Sequence, residues 1–151
     1  MKATFGAGCF WHVEDLLSKT KGVKSTKVGY IGGQLPNPTY DEVCTDKTGH
    51  AEAVEVEYDP NEISYEELLD VFWKNHNPTT LNRQGPDIGI QYRSVIFYHN
   101  DEQKEIAEKS KQTLEKSRQF KNPIVTEIVP TQAFYDAEEY HQKYFKKHGL
   151  S

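Results

Sequence analysis

Residues 6–14 read GAGCFWHVE and set a thiol, Cys9, between two glycines and two large aromatics, Phe10 and Trp11. A cysteine that opens a helix lies beside backbone N–H groups that have no helical partner. Those groups and the helix dipole favour the thiolate, the reactive form of cysteine. Gly6 and Gly8 permit a tight turn and the close approach of a ligand. The competing reading is a small buried hydrophobe, a common fate of free cysteine, and the motif alone weighs the two equally. Phe10 and Trp11 either enter the core or wall a pocket that grips an apolar group such as a methyl. His12 shares a helix face with Cys9 and is preferred as a surface imidazole over a partner that sustains a thiolate.

A second set of groups follows. In TGHAEAVEVEY, strict alternation puts Glu52 on the face of Val54, Val56 and Tyr58, and puts Glu55 and Glu57 on the other. An inward carboxyl has a raised pKa, which suits a general acid. His50 supports Glu52 or merely ends a loop. Tyr40 and Tyr92 end irregular stretches, where phenols can donate to an oxygen that gains charge or simply straddle core and surface. Asp87 orients a tyrosine or a water, or forms an Asx-type turn. Cys44 is a resolving thiol or a loop-packing one, and spacing does not decide between them. A structural zinc site built from Cys9, His12, Cys44 and His50 is a competing class, as is thiol-dependent hydrolysis. No HExxH, P-loop or full dinucleotide fingerprint occurs.

The elements that must position these groups alternate. KATFGAG predicts a strand that ends in glycines. CFWHVEDLLSKTKG predicts a helix with Phe10, Val13, Leu16 and Leu17 on one face and Gly22 as a stop. VKSTKVGYIGG is a second strand. Residues 32–49 are rich in turn formers and read as a long functional loop. HAEAVEVEYDP is the third strand. SYEELLDVFWKNH is a helix that opens on a Ser64–Glu67 capping box and is stopped by Pro78. NPTTLNRQGPDIGIQY is irregular, RSVIFYHN a strand and DEQKEIAEKSKQTLEKSRQ a solvent-rich helix. PIVTEIVP is a strand, and AFYDAEEYHQKYFKKHG reads as helical to Gly149. The order predicts an α+β fold: a two-layer α/β sandwich with a split β-α-β, ferredoxin-like core. No linker interrupts residues 1–151, so one domain is expected.

Composition narrows the function. Apolar residues make up 36% and charged residues 27%, the balance of a globular chain. A net charge of −5 disfavours nucleic acid as a partner. No apolar run approaches bilayer length, and the N-terminus shows no signal-peptide pattern, so a cytoplasmic protein with no membrane partner is expected. Two cysteines make no disulfide framework and are expected to be reduced at rest.

Several stretches, in order, resemble the peptide methionine sulfoxide reductase A family. They are GCFW, GYIGGQLPNPTYDEVCTDKTGHAEAVEVEYDP, VFWKNHNPT, RQGPDIGIQYRSVIFY and FYDAEEYHQKY, which together span about Phe5 to Tyr144. The resemblance implies thiol-dependent reduction of the S epimer of methionine sulfoxide, free or in proteins, through a cysteine sulfenic acid. It implies that Cys9 is the catalytic thiol and Glu52 the general acid. Tyr40 and Tyr92 would bind the sulfoxide oxygen with Asp87 beside them, and Phe10 and Trp11 would wall the substrate methyl. It implies no metal or organic cofactor, an external thiol reductant (thioredoxin, glutaredoxin or a small thiol) and a monomer. The chain departs from the family in ending KKHGLS without C-terminal cysteines, in His12 where a small residue is usual, and in Ile88 where histidine is common. The alternative function is a non-catalytic binding module for oxidised or apolar methionine side chains.

Overall fold

Strands and helices alternate as the sequence leads one to expect, and the computed structural model describes residues 1–150. The elements that build the core are β1 (Lys2–Ala7), α1 (Phe10–Ser18), β2 (Val23–Ile31), α2 (Tyr40–Val43), β3 (Ala51–Tyr58) and α3 (Tyr65–Lys74). The second half holds a small hairpin, β4 (Arg83–Gln84) with β5 (Asp87–Ile88), then β6 (Ser94–Tyr98), α4 (Asp101–Lys116), β7 (Glu127–Pro130), β8 (Tyr135–Asp136) and α5 (Tyr144–Lys147). The main sheet is six-stranded, in the order β7-β6-β1-β3-β2-β8.

The pairing explains the split units. β3 runs antiparallel to both β1 and β2, so β1 and β2 are parallel with β3 inserted between them. β1 likewise separates β3 from β6. The central order β6-β1-β3-β2 is therefore the ferredoxin-like α+β core that the sequence predicts. α4 then returns the chain to β7, which adds parallel to β6 at one edge, and β8 extends β2 at the other.

One face of the sheet carries the main core, with Phe5, Val28, Val54, Val56, Leu68, Leu69 and Ile96 fully buried against the helices. Burial of such side chains contributes roughly 1.5–3 kcal/mol each and fixes the strand register. The opposite face has only a small apolar patch of Ile31, Ala51, Ala53, Val95 and Phe97. Beyond that patch lie charges, with Glu55 between Lys2 and Lys27. Among the described residues, no helix is long and apolar enough to cross a membrane.

Three expectations are corrected. α3 stops at Lys74, well before Pro78, because the Asn75 amide donates to the Val71 carbonyl and His76 Nδ1 to the Phe72 carbonyl. Side chains there satisfy acceptors that further helical amides would have taken. The loop of residues 32–49 contains α2, opened by a Thr39–Glu42 capping box. The C-terminal stretch is not one helix. β8, a 3-10 turn at Glu139–His141 and the short α5 share it, and Lys143 breaks it at φ 53°. Side chains of Glu138 and Gln142 bind the body of the protein, and those tertiary bonds override helical periodicity.

The Ser64 cap forms as predicted, with Ser64 Oγ accepting from the Glu67 amide and Glu67 accepting from the Ser64 amide. Ser64→Ala is expected to lower unfolding free energy by about 1 kcal/mol, read as a drop in urea midpoint at unchanged slope. An unchanged midpoint rejects a stabilising role for this cap.

Candidate active site

β1 delivers the chain to Gly8, which turns at φ 94° where a Cβ would lie 2.9 Å from the Gln84 side chain. Only glycine accepts that turn without strain. Cys9 follows as the N-cap of α1, half-buried and a free thiol. The placement at a helix N-terminus matches expectation, while the charge that the sequence left open is decided by burial. Burial pushes the thiol up to about 11, and the negative charges of Glu52 and Asp87 add to that. The backbone amides of Trp11 and His12 only partly oppose it. Desolvation thus outweighs the helix terminus, and the resting group is a thiol rather than a thiolate. His12 is exposed on the outside of α1.

Glu52 lies inward as the strand phase predicts, 1% exposed. Its Oε1 accepts the Phe10 amide at 3.3 Å, the N–H immediately after Cys9. Its Oε2 is buried and has no partner. Burial raises the carboxyl to about 8, against the Phe10 bond that lowers it and with Asp87 adding a smaller rise. A proton on this group belongs on Oε2, since Oε1 already accepts an N–H. The arrangement can therefore offer an acid proton beside a sulfur at neutral pH.

The other predicted residues converge on the same place. Tyr40 begins α2, and Tyr92 ends a 3-10 turn at Ile90–Tyr92 that Asp46 ties down through the Ile90 amide at 3.1 Å. Tyr40, Tyr92 and Cys44 lie near enough to shift one another's ionisation, and Glu52 acts on all three. Burial is the main cause of raising Tyr40 and of lifting Tyr92 to about 12, so both phenols keep their protons. Asp87 sits on β5 at the rim, where its charge reaches Cys9, Glu52 and Tyr92. Ile88, its neighbour, points into solvent, 70% exposed. Phe10 is buried, whereas Trp11 stays half-buried. Cys44 is an exposed C-cap of α2.

His50 does not join them. Its Nδ1 accepts the Gly33 amide and its Nε2 meets the Leu35 carbonyl at 2.7 Å, so both nitrogens serve the loop and neither is free to bind a metal. One residue was missed from sequence. His141 is 1% exposed and packs on Phe10, Trp11 and Tyr40, with ring centroids 5.2, 5.5 and 4.7 Å away. The Trp11 indole N–H donates to its Nδ1 at 2.9 Å. The neutral ring therefore carries its proton on Nε2, a buried atom with no partner. The signal available was EYHQKY itself, a stretch that reads as part of a helix running to Gly149.

A thiol and a carboxylic acid, joined through one backbone amide inside an aromatic recess on a split β-α-β sandwich, make a thiol site with a proton donor beside it. Comparison with known proteins makes this specific. The sequence model described as peptide methionine sulfoxide reductase matches residues 1–150. Peptide methionine sulfoxide reductase MsrA of Methanosarcina acetivorans is 65% identical over 149 residues, 99% of this chain and 79% of its own. The crystal structure of reduced Mxr1 from Saccharomyces cerevisiae superposes with a TM-score of 0.93 at 39% identity, covering 100% of this chain and 87% of that one. The yeast protein in complex with Trx2 gives 0.68 at 31% identity, over 95% and 84% of the two chains. The chain belongs to the peptide methionine sulfoxide reductase A family.

The buried acid has a thermodynamic signature. Glu52 holds its proton to about 8 in the folded chain and releases it near 4.5 when unfolded. Between those values the folded state binds the extra proton, so its contribution to stability is full below the lower value. It is lost as pH rises through the upper one. Glu52→Gln removes this term, and urea midpoints at about pH 5 and about pH 8 are expected to lie closer together than in wild type. An unchanged spread rejects the shifted acid.

Proposed function

We propose that this chain reduces the S epimer of methionine sulfoxide, free or in proteins, to methionine, with Cys9 as the thiol that takes the oxygen. The carrying observation is the unpartnered Oε2 of Glu52, buried beside Cys9 behind Phe10 and Trp11. A buried polar atom without a partner is costly unless a ligand supplies one. The family membership and the reductases that resemble the chain support the same reading.

The chemistry balances on these groups. The substrate methyl rests against Phe10 and Trp11, and the sulfoxide oxygen points at Glu52, Tyr40 and Tyr92. Glu52 gives its proton to that oxygen as the Cys9 sulfur bonds to the substrate sulfur. The thiol proton passes to Glu52, which has become a carboxylate by giving its own proton to the oxygen. Tyr40 and Tyr92 donate to the oxygen as it gains charge, and Asp87 holds the rim polar. The hydroxyl then passes to Cys9 and the sulfur–sulfur bond breaks. Methionine leaves with its sulfur reduced by two electrons, and Cys9 is oxidised by two, to sulfenic acid.

An external thiol restores Cys9. The Trx2 complex of the yeast relative supports thioredoxin as one such donor, with glutaredoxin or a small thiol as others. The reaction calls on no metal or organic cofactor. Every group named comes from one copy of the chain, so a monomer suffices. A reducing compartment such as the cytoplasm supplies the thiols and keeps Cys9 and Cys44 unpaired. Residues 1–151 act as one catalytic domain.

Single-turnover reduction of separated sulfoxide epimers, with thiols titrated before and after, tests the reading. One epimer is expected to be consumed with the loss of one thiol, and consumption of both epimers alike or of neither overturns it. Glu52→Gln is expected to slow sulfenic acid formation by roughly 10²–10⁴-fold while substrate binding changes little, since the proton moves only during reaction. Equal loss of binding and rate argues against an acid. Cys44→Ser is expected to leave the first turnover intact, and its failure there gives Cys44 a direct part in the chemistry.

A further inference from the structure

Glu14 takes no part in the steps above, yet its carboxyl is as deeply placed as theirs. It is 2% exposed on α1, five residues or about one and a half turns beyond the Cys9 N-cap. One oxygen accepts the Lys143 amide at 2.6 Å, and the other accepts the Thr26 hydroxyl at 2.9 Å with the Lys143 ammonium 3.9 Å away. A buried carboxylate is tolerated only with such partners. Lys143 offers its amide from φ 53°, a left-handed conformation that side chains other than glycine rarely adopt. Surrounding contacts must hold it there.

Those contacts form a strap from Glu138 to Tyr144. Glu138 accepts the Tyr30 hydroxyl at 2.9 Å and the Tyr40 amide at 3.0 Å. His141 accepts the Trp11 indole N–H. The Gln142 amide both accepts from and donates to the Val28 backbone, as a neighbouring strand would. Tyr144 stacks on Trp11 at 3.7 Å with 7° between the rings. Trp11, a wall of the recess, is thus oriented by the strap, and Glu14 grips the strap from the helix that Cys9 caps.

We infer that Glu14 is a positioning residue: by holding the Lys143 amide it fixes the Glu138–Tyr144 strap, and through the strap it sets the Trp11 ring for the substrate methyl. This rests on the proposed reaction, since it assigns that wall to sulfoxide binding. The strap holds the Trp11 ring itself but only the backbone amide of Tyr40, so losing the latch shifts the wall that grips the methyl and weakens binding more than turnover.

The test compares Glu14→Ala with Glu14→Gln, each also made in a Trp73→Phe background. The chain has two tryptophans, so Trp11 alone then emits. Glu14→Ala is expected to raise KM for methionine sulfoxide about tenfold, the effect of losing a buried charge-assisted bond. It should change kcat by less than about threefold. Trp11 emission should rise as its stack with Tyr144 loosens. Glu14→Gln keeps an oxygen for the Lys143 amide and an N–H for the Thr26 hydroxyl, and should match wild type in KM and emission. The inference is overturned if Glu14→Ala keeps wild-type KM and emission, if Glu14→Gln is as impaired as Glu14→Ala, or if kcat falls at constant KM. Should Glu14→Ala fail to fold, Gln142→Ala loosens the same strap from β2, and its KM must rise; an unchanged KM overturns the latch. If wild-type protein reduces no sulfoxide, the proposed reaction fails, while the emission comparison still decides whether Glu14 holds Trp11.

Discussion

A single buried hydrogen bond, from the Phe10 amide to Glu52, organises the reactive end of this molecule. It joins β3 to the first turn of α1 and places a carboxyl one residue from a thiol. The surroundings are dry, and dryness acts on both groups in the same direction. It keeps the acid protonated and the thiol neutral, so neither charge has to be held before substrate arrives. Two ionised groups at that separation would repel each other in a poorly screened site. The resting pair avoids this by staying uncharged.

The sheet exists in a form that makes this bond possible. Splitting β1 from β2 with β3 brings the start of α1 over the first residues of β3. The thiol and the acid come from distant points in the chain, yet adjacent strands carry both. Side chains that alternate along β3 then decide everything: Val54, Val56 and Tyr58 anchor the core face, and the same phase carries Glu52 inward. A one-residue slip would expose the acid and bury Glu55 in its place.

Much of this was legible in the sequence because it depends on local periodicity. The strand phase that buries Glu52, the Ser64 capping box and the glycines before Cys9 all act over a few residues, and each appears as expected. The charge state of Cys9 stayed open in the sequence because helix-terminus chemistry is local whereas burial is not. The C-terminal segment was misread for a similar reason. Its apolar and polar residues recur with helical spacing, but Glu138, Gln142 and Lys143 find partners on β2, α1 and α2 that no window of sequence contains. Glu14 and His141 were invisible on the same account. A charged residue on a helix is ordinarily solvated, and only the folded neighbours reveal a buried one. α2 carried a readable signal, the Thr39–Glu42 spacing, within a stretch whose glycines and prolines masked it.

The contact between the Trp11 indole and His141 spans 130 positions of sequence. Synthesis runs from the N-terminus, and the core strands β1, β2, β3 and β6 are all complete before His141 is made. A nascent chain still attached to the ribosome can therefore hold a folded sheet with one side of its recess missing. The recess closes only when the Glu138–Tyr144 segment docks on α1 and α2, so it matures after the sheet that carries it.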